Sequence, residues 1–258
     1  MMSGDGNFML VFLQARSSSK RFPRKVLHEL DGIPMVIFQI NRILATRSLS
    51  QLLVVTSNED SDDELCKILE KRGIGFFRGN LSDVNFRFRE ALNFLNISQG
   101  YVMRLTADCP LICPEILELG IKNAVENNWD YFSNTVQRTF PDGLDFEIFN
   151  VASYLSQPCN QLSDHDREHV TSYFYNHRSE YLIGQLVSSV DFSDIRLTVD
   201  YCKDLELIRE IVRMGQNEEN YRSYSQILLL YDKLMKKQKN MRELNLNSNV
   251  IYSVNQIL

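Results

Sequence analysis

The chain has 258 residues, 44% of them apolar and 24% charged, with a formal net charge of -5 at pH 7. That composition supports a full core in one large domain, and the acidic balance excludes general nucleic-acid binding, which needs a net basic face against phosphate backbones. Its five cysteines, Cys66, Cys109, Cys113, Cys159 and Cys202, are odd in number and form no CxxC, so they read as reduced core thiols of a cytoplasmic protein rather than as zinc ligands.

Asp5 and a short apolar run near the start argue against a signal peptide, and no run spans a membrane. Short β-rich runs then alternate with helical patterns. FMLVFLQ (8–14) predicts a strand followed by a helix over 34–46, and LLVVT (52–56) a strand followed by a helix over 60–72. GFFRG (75–79) leads to a helix over 84–95, and YVMRLT (101–106) to one over 114–127. This alternation predicts an α/β fold with a Rossmann-like, mostly parallel sheet flanked by helices. In such sheets ligands lie beyond the carboxyl ends of the strands. From Tyr131 the rhythm changes, and 131–165 reads as an inserted β-rich lobe, a substrate lid or dimer arm, before a helix over 167–177. IRLTVD (195–200) predicts a final strand and 202–215 a helix with Leu205, Ile208, Ile211 and Val212 on one face. An amphipathic helix over 224–239 ends in the polar run KKQKNMRELNLNSN, so 223–258 is a C-terminal helical extension of a single domain covering 8–258.

The first strand runs directly into Arg16, Lys20, Arg21, Arg24 and Lys25. A local cationic bend at a strand end, in an acidic chain, points to a bound anion or else to a solvated basic loop. No glycine lies between Leu10 and Leu27 and GxGxxG is absent, which excludes a P-loop. Phosphate would instead rest on amide groups of the Ser17-Ser18-Ser19 turn, backed by mobile cations.

Asp108 follows the fourth strand in RLTADCPLI, and Asp200 sits in RLTVDYCKDLEL with the same R-L-T-x-D spelling, Arg104 to Asp108 against Arg196 to Asp200. Both acids are expected on one rim. Either alone is an ordinary helix cap, but a pair opposite a basic bend suits a Mg²⁺-dependent nucleotide reaction, because Mg²⁺ takes few protein carboxylates and completes its octahedron with phosphate oxygens and water. TFPDGLDFEIF sets Asp142, Asp145 and Glu147 around a Pro-Asp-Gly turn. The last two share a face if the segment is extended, suiting a polyol or amino-sugar ligand or a polar hairpin face. Glu168 and His169 open a helix in REHVT and read as substrate contacts or simple capping; the other histidines lack metal-like spacing. The acidic cluster DSDD (60–63) reads as a surface cap at a helix start.

Taken in order, QARSSSKRFPRKVL, RLTADCPLI, FPDGLDFEIF, REHVT and RLTVDYCKDLELI resemble the spore-coat polysaccharide biosynthesis (SpsF) group of cytidylyltransferases, related to the acylneuraminate and Kdo enzymes, over 8–212. The resemblance implies a GT-A-like nucleotidyltransferase fold, a homodimer, and transfer of CMP from CTP to an acidic sugar or related polyol or phosphate acceptor, with release of pyrophosphate, for surface glycans. By position it assigns Arg16, Arg21 and Lys25 to the phosphates as catalytic cations. Gln14, Ala15, Ser17, Ser18, Arg78, Thr106 and Ala107 fall to the nucleotide, and Asp108 and Asp200 to Mg²⁺. Arg104, Asp142, Asp145, Glu147, Glu168 and His169 would face the acceptor. The sialate enzymes usually show Pro where this chain has Gln14, and often Gly-Ser where it has Ser19-Lys20. Two other readings suit the same fold: a glycosyltransferase using a finished nucleotide sugar, and a catalytically silent nucleotide-binding homologue.

Overall fold

A computed structural model describes residues 9–216 and 223–254; Phe8, assigned above to the first strand, and 255–258 of the expected extension lie outside the described residues. The centre is β1 (Met9–Gln14), whose first five residues are fully buried, as a strand covered on both faces must be. A hairpin of β2 (Glu29–Leu30) and β3 (Ile33–Pro34) leads into α1 (Met35–Ile43). Then come β4 (Gln51–Ser57), α2 (Asp63–Lys71), β5 (Phe76–Gly79), α3 (Val84–Phe94), β6 (Tyr101–Thr106) and α4 (Pro114–Glu126). Pro114 opens α4 at its first turn, where a missing N–H costs nothing.

β7 (Tyr131–Ser133) and β8 (Glu147–Asn150) follow, then α5 (Val151–Ser156), α6 (Asp164–His169), α7 (Ser172–Asn176), β9 (Ile183–Gln185), α8 (Cys202–Gly215) and α9 (Tyr224–Val254). The seven-stranded sheet runs β5-β4-β1-β6-β8-β7-β9, parallel throughout except for β8, which is antiparallel to both neighbours. This is the mostly parallel, helix-flanked α/β sheet expected. Alternation along β1 divides the core: Met9, Val11 and Leu13 pack with α1, α2, α4 and α8, whereas Leu10 and Phe12 pack with Val84, Phe88 and Ala91 of α3.

Four expectations change. The 131–165 segment contributes β7 and β8 to the central sheet instead of forming a lobe, because Phe132 and Ile148 bury into one face and Tyr131 and Phe149 into the other. Residues 195–200 form no strand: their partners are loops, with Leu197 N–H donating to Asp142 O at 2.6 Å and Val199 N–H to Asp108 O at 2.8 Å. The helix over 167–177 is two helices, broken where Val170 adopts φ +59° while fully buried, a strained state for a β-branched residue. Finally, Cys159 and Cys202 are exposed; Cys66, Cys109 and Cys113 are buried, and no cysteine is bridged. At the C-terminus, Ile227, Leu230 and Leu234 bury against the main core and α9 continues as a helix through the polar run to Val254. Among the described residues no helix is long and apolar enough to cross a membrane.

Candidate active site

The register sets Gln14 beside Thr106 and Val55, so the chain leaves β1, β4 and β6 at one edge of the sheet. The bend after β1 is fixed there by Asp62, which is fully buried. One Asp62 oxygen accepts from Ser17 N–H at 2.6 Å; the other accepts from Ser57 N–H at 3.2 Å and from the Ser57 hydroxyl. Arg24 N–H donates to Ser17 O at 2.9 Å and closes the bend, with Arg24 itself at φ +59°. Within the DSDD cluster Asp62 is thus an anchor, not a surface cap. Asp62→Ala strands these donors without an acceptor, and unfolding by urea should show a loss of about 3 kcal/mol; unchanged stability would contradict the anchoring role.

Beyond the bend Asp108 and Asp200 meet. Lys25 Nζ donates to Asp108 Oδ2 at 3.0 Å, Asp200 Oδ1 at 3.1 Å and Val199 O at 2.9 Å, using all three of its donors. Arg21 adds a 2.7 Å contact to Asp200 Oδ1, and Arg196 one of 2.8 Å to Oδ2. Burial raises the Asp200 carboxyl, but Arg196, Lys25 and Arg21 outweigh it and hold the group below the usual carboxylate range. Asp204 holds the backbone here by accepting from both Asp200 and Tyr201 N–H at 2.9 Å. Gly143 makes the approach possible: at φ +108° it lies so close to the Leu197–Thr198 peptide that a Cβ would come within 2.6 Å.

These groups line a cavity of about 650 Å³, a volume typical of small-molecule sites. Its walls include Gln14, Ala15, Arg16, Ser18, Arg21 and Lys25 from the bend and Thr106, Ala107 and Asp108 from the end of β6, with Asp200 and Glu168 opposite. Ser17 and Ser18 keep buried hydroxyl oxygens without a partner. Thr106 also lines a second cavity of about 210 Å³, together with Arg104, Arg138, Asp145, Glu147 and His169. There Glu147 accepts from Arg104, Tyr131 (2.8 Å) and Thr171. Gln14, the departure from the sialate pattern, has a local role: its Oε1 accepts from Arg104 at 2.9 and 3.1 Å.

Three expected residues lie outside both cavities: Ser17, Arg78 and Asp142. Ser17 is buried beneath the bend, where its N–H is held by Asp62. Arg78 is engaged by Asp63 at 2.7 Å and by the Ser57 and Glu59 carbonyls. Asp142 bridges to Arg196 at 3.2 Å, which makes it a brace for the 195–200 segment. Residues not anticipated from sequence include Asp62, Asp204, Arg138 and Arg87. The last is 1% exposed behind the bend; burial, then repulsion from Arg16, brings its guanidinium down to about 10, so it remains cationic at neutral pH.

Asp108 and Asp200 suit a divalent cation. They already share one ammonium group and they face a polar cavity. A two-carboxylate set of this kind fits Mg²⁺ completed by phosphate oxygens and water.

A family model described as Cytidylyltransferase matches residues 10–247. The chain belongs to the cytidylyltransferase family. The chain is 29% identical to the spore coat polysaccharide biosynthesis protein SpsF of Bacillus subtilis (strain 168) over 231 residues, 87% of this chain and 94% of that one. A solved cytidylyltransferase from Leptospira borgpetersenii serovar Hardjo-bovis (strain JB197) superposes with a TM-score of 0.78 at 26% identity, over 90% of this chain and 95% of that one. CMP:2-keto-3-deoxy-manno-octonic acid synthetase complexed with CTP shares the fold, with a TM-score of 0.58 at 15% identity over 81% and 99% of the two chains.

Proposed function

We propose that the protein transfers CMP from CTP to an acidic sugar or related polyol acceptor, releasing pyrophosphate, in the assembly of a surface glycan. The observation that carries this reading is the shared contact of Asp108 and Asp200 with Lys25 on the wall of the larger cavity, facing the cationic bend. Family membership and the likeness to SpsF support it.

In this reading the triphosphate lies along the bend. Arg16, Arg21 and Lys25 neutralise it, and the unpartnered Ser18 hydroxyl and neighbouring amides offer donors to its oxygens. Lys25 leaves its carboxylate partners for the phosphates, and Asp108 and Asp200 are the residues that would hold Mg²⁺. Magnesium, when bound, neutralises charge on the phosphate oxygens. The acceptor occupies the smaller cavity, on the far side of Thr106, from which its oxygen attacks the α-phosphorus. Pyrophosphate leaves along the bend, where Arg21 and Lys25 stabilise the charge it carries away. The protein's part is positioning and electrostatics.

A screen of the four nucleoside triphosphates against acidic sugars and phosphorylated polyols, scored by pyrophosphate release, tests the reading. CTP-dependent release with a member of the panel is expected. CTP binding without release would favour a silent homologue, and cleavage of a nucleotide sugar in place of CTP would favour a glycosyltransferase.

A further inference from the structure

Within the acceptor cavity the two carboxylates are not equivalent. Glu147 is consumed by Arg104, Tyr131 and Thr171, and so is Arg104, which faces Glu147 and Gln14. Asp145 instead has a single partner, with both oxygens accepting from the same Arg138 nitrogen at 2.9 and 3.0 Å. A carboxylate has about four lone-pair positions, so Asp145 retains capacity to accept from a ligand. The inventory also bears on the ligand's charge. Both guanidinium groups in this cavity already face carboxylates, Arg104 facing Glu147 and Arg138 facing Asp145 and Asp142, so a phosphate dianion would have to displace one of these pairs whereas a neutral hydroxyl would not.

We propose that Asp145 accepts the proton of the nucleophile, and that the acceptor therefore presents a neutral hydroxyl to the α-phosphorus rather than a phosphate or carboxylate oxygen. This rests on the reading above that the smaller cavity holds the acceptor. Its common wall with the larger cavity is Thr106, whose hydroxyl donates to Asp108 at 2.6 Å, so the two cavities meet beside the expected phosphate site. As the acceptor oxygen bonds to the α-phosphorus, its proton passes to Asp145 and the bond to the β-phosphate oxygen breaks with its electron pair on pyrophosphate. Asp145 then returns the proton to solvent. Burial, against the opposing pull of Arg138, lifts the Asp145 carboxyl to about 6, where it is ionised at neutral pH yet basic enough to act. The groups around it are Arg138, Asp142, Glu147 and Cys109, with Arg104, His169 and Tyr175 on the same cavity wall.

The test uses the full chain with CTP labelled at the α-phosphorus, and as nucleophiles the acidic sugars, the phosphorylated polyols and water alone. CTP affinity is measured separately. The expected product is a phosphodiester, or CMP when water attacks. The rate should rise through about pH 6 to a plateau, and Asp145→Asn should lower it at least about a hundredfold and abolish that limb while CTP affinity stays within about twofold. His169→Asn should keep the limb, which separates the two groups in the wall. A diphosphate-linked product or an unchanged pH limb in Asp145→Asn overturns the proposal and leaves the parent reading standing, whereas CTP binding with no turnover toward any of these nucleophiles overturns both. Failure to bind CTP at all overturns the parent reading instead.

Discussion

Replacing Lys25 by methionine lowers kcat for pyrophosphate release at least about a hundredfold, roughly 2.7 kcal/mol of lost transition-state stabilisation. The side chain is 12% exposed and satisfies two carboxylates and a carbonyl at once, so removing its charge has two consequences. Charge on the departing pyrophosphate loses a cation, and Asp108 and Asp200 are left facing each other with only the arginines on Asp200 to compensate. The second effect should cost on the order of 1–3 kcal/mol of stability, visible as a lower Tm. Lys25→Arg separates the effects: it keeps the charge, but a planar fork cannot reproduce three contacts arranged around one nitrogen. Its Tm should therefore recover more than its turnover. Full turnover in Lys25→Met would remove the lysine from the reaction.

The second large effect concerns the acids. Asp108→Asn and Asp200→Asn should each reduce kcat by at least about a hundredfold, while the double variant should be little worse than either one, because groups that act as a unit are not additive. Independent, multiplying losses would mean that the two carboxylates serve separate ligands. Their stability effects should differ in pH dependence. Asp200 is depressed in the folded state by Arg196, Lys25 and Arg21, so it contributes stability above the ordinary carboxylate pKa that is lost as pH falls through its lowered value. Asp200→Asn should lack that contribution and lie below the native protein mainly at neutral pH, with the gap closing in acid.

Much of this site was legible in the chain because its chemistry is written locally. The R-L-T-x-D repetition brought Asp108 and Asp200 to one place, since each acid follows an extended segment that ends at the same edge, and the cationic bend follows a strand whose first five residues are fully buried. What stayed hidden depends on partners far along the chain. Nothing in DSDD reveals that Asp62 will bond to Ser17, 45 residues earlier. Extended backbone at 195–200 looks like a strand, but its partners are the loops bearing Asp108 and Asp142, and loops cannot supply a ladder. The change of rhythm at Tyr131 suggested a separate lobe because its strands are only three and four residues long; their two-faced burial, which makes them part of the sheet, emerges only with the neighbours in place. Asp145 and Glu147 are near twins in sequence, separated in character by Tyr131 and Thr171, which bond to Glu147 alone.

A crystal structure of the protein with CTP bound tests the central claim most directly. The account predicts the triphosphate along residues 16–25, with Lys25 Nζ drawn off the two carboxylates to within about 3 Å of phosphate oxygens and the α-phosphorus facing Thr106 and the smaller cavity. A nucleotide seated elsewhere, or one bound while Lys25 still bridges Asp108 and Asp200, would contradict it.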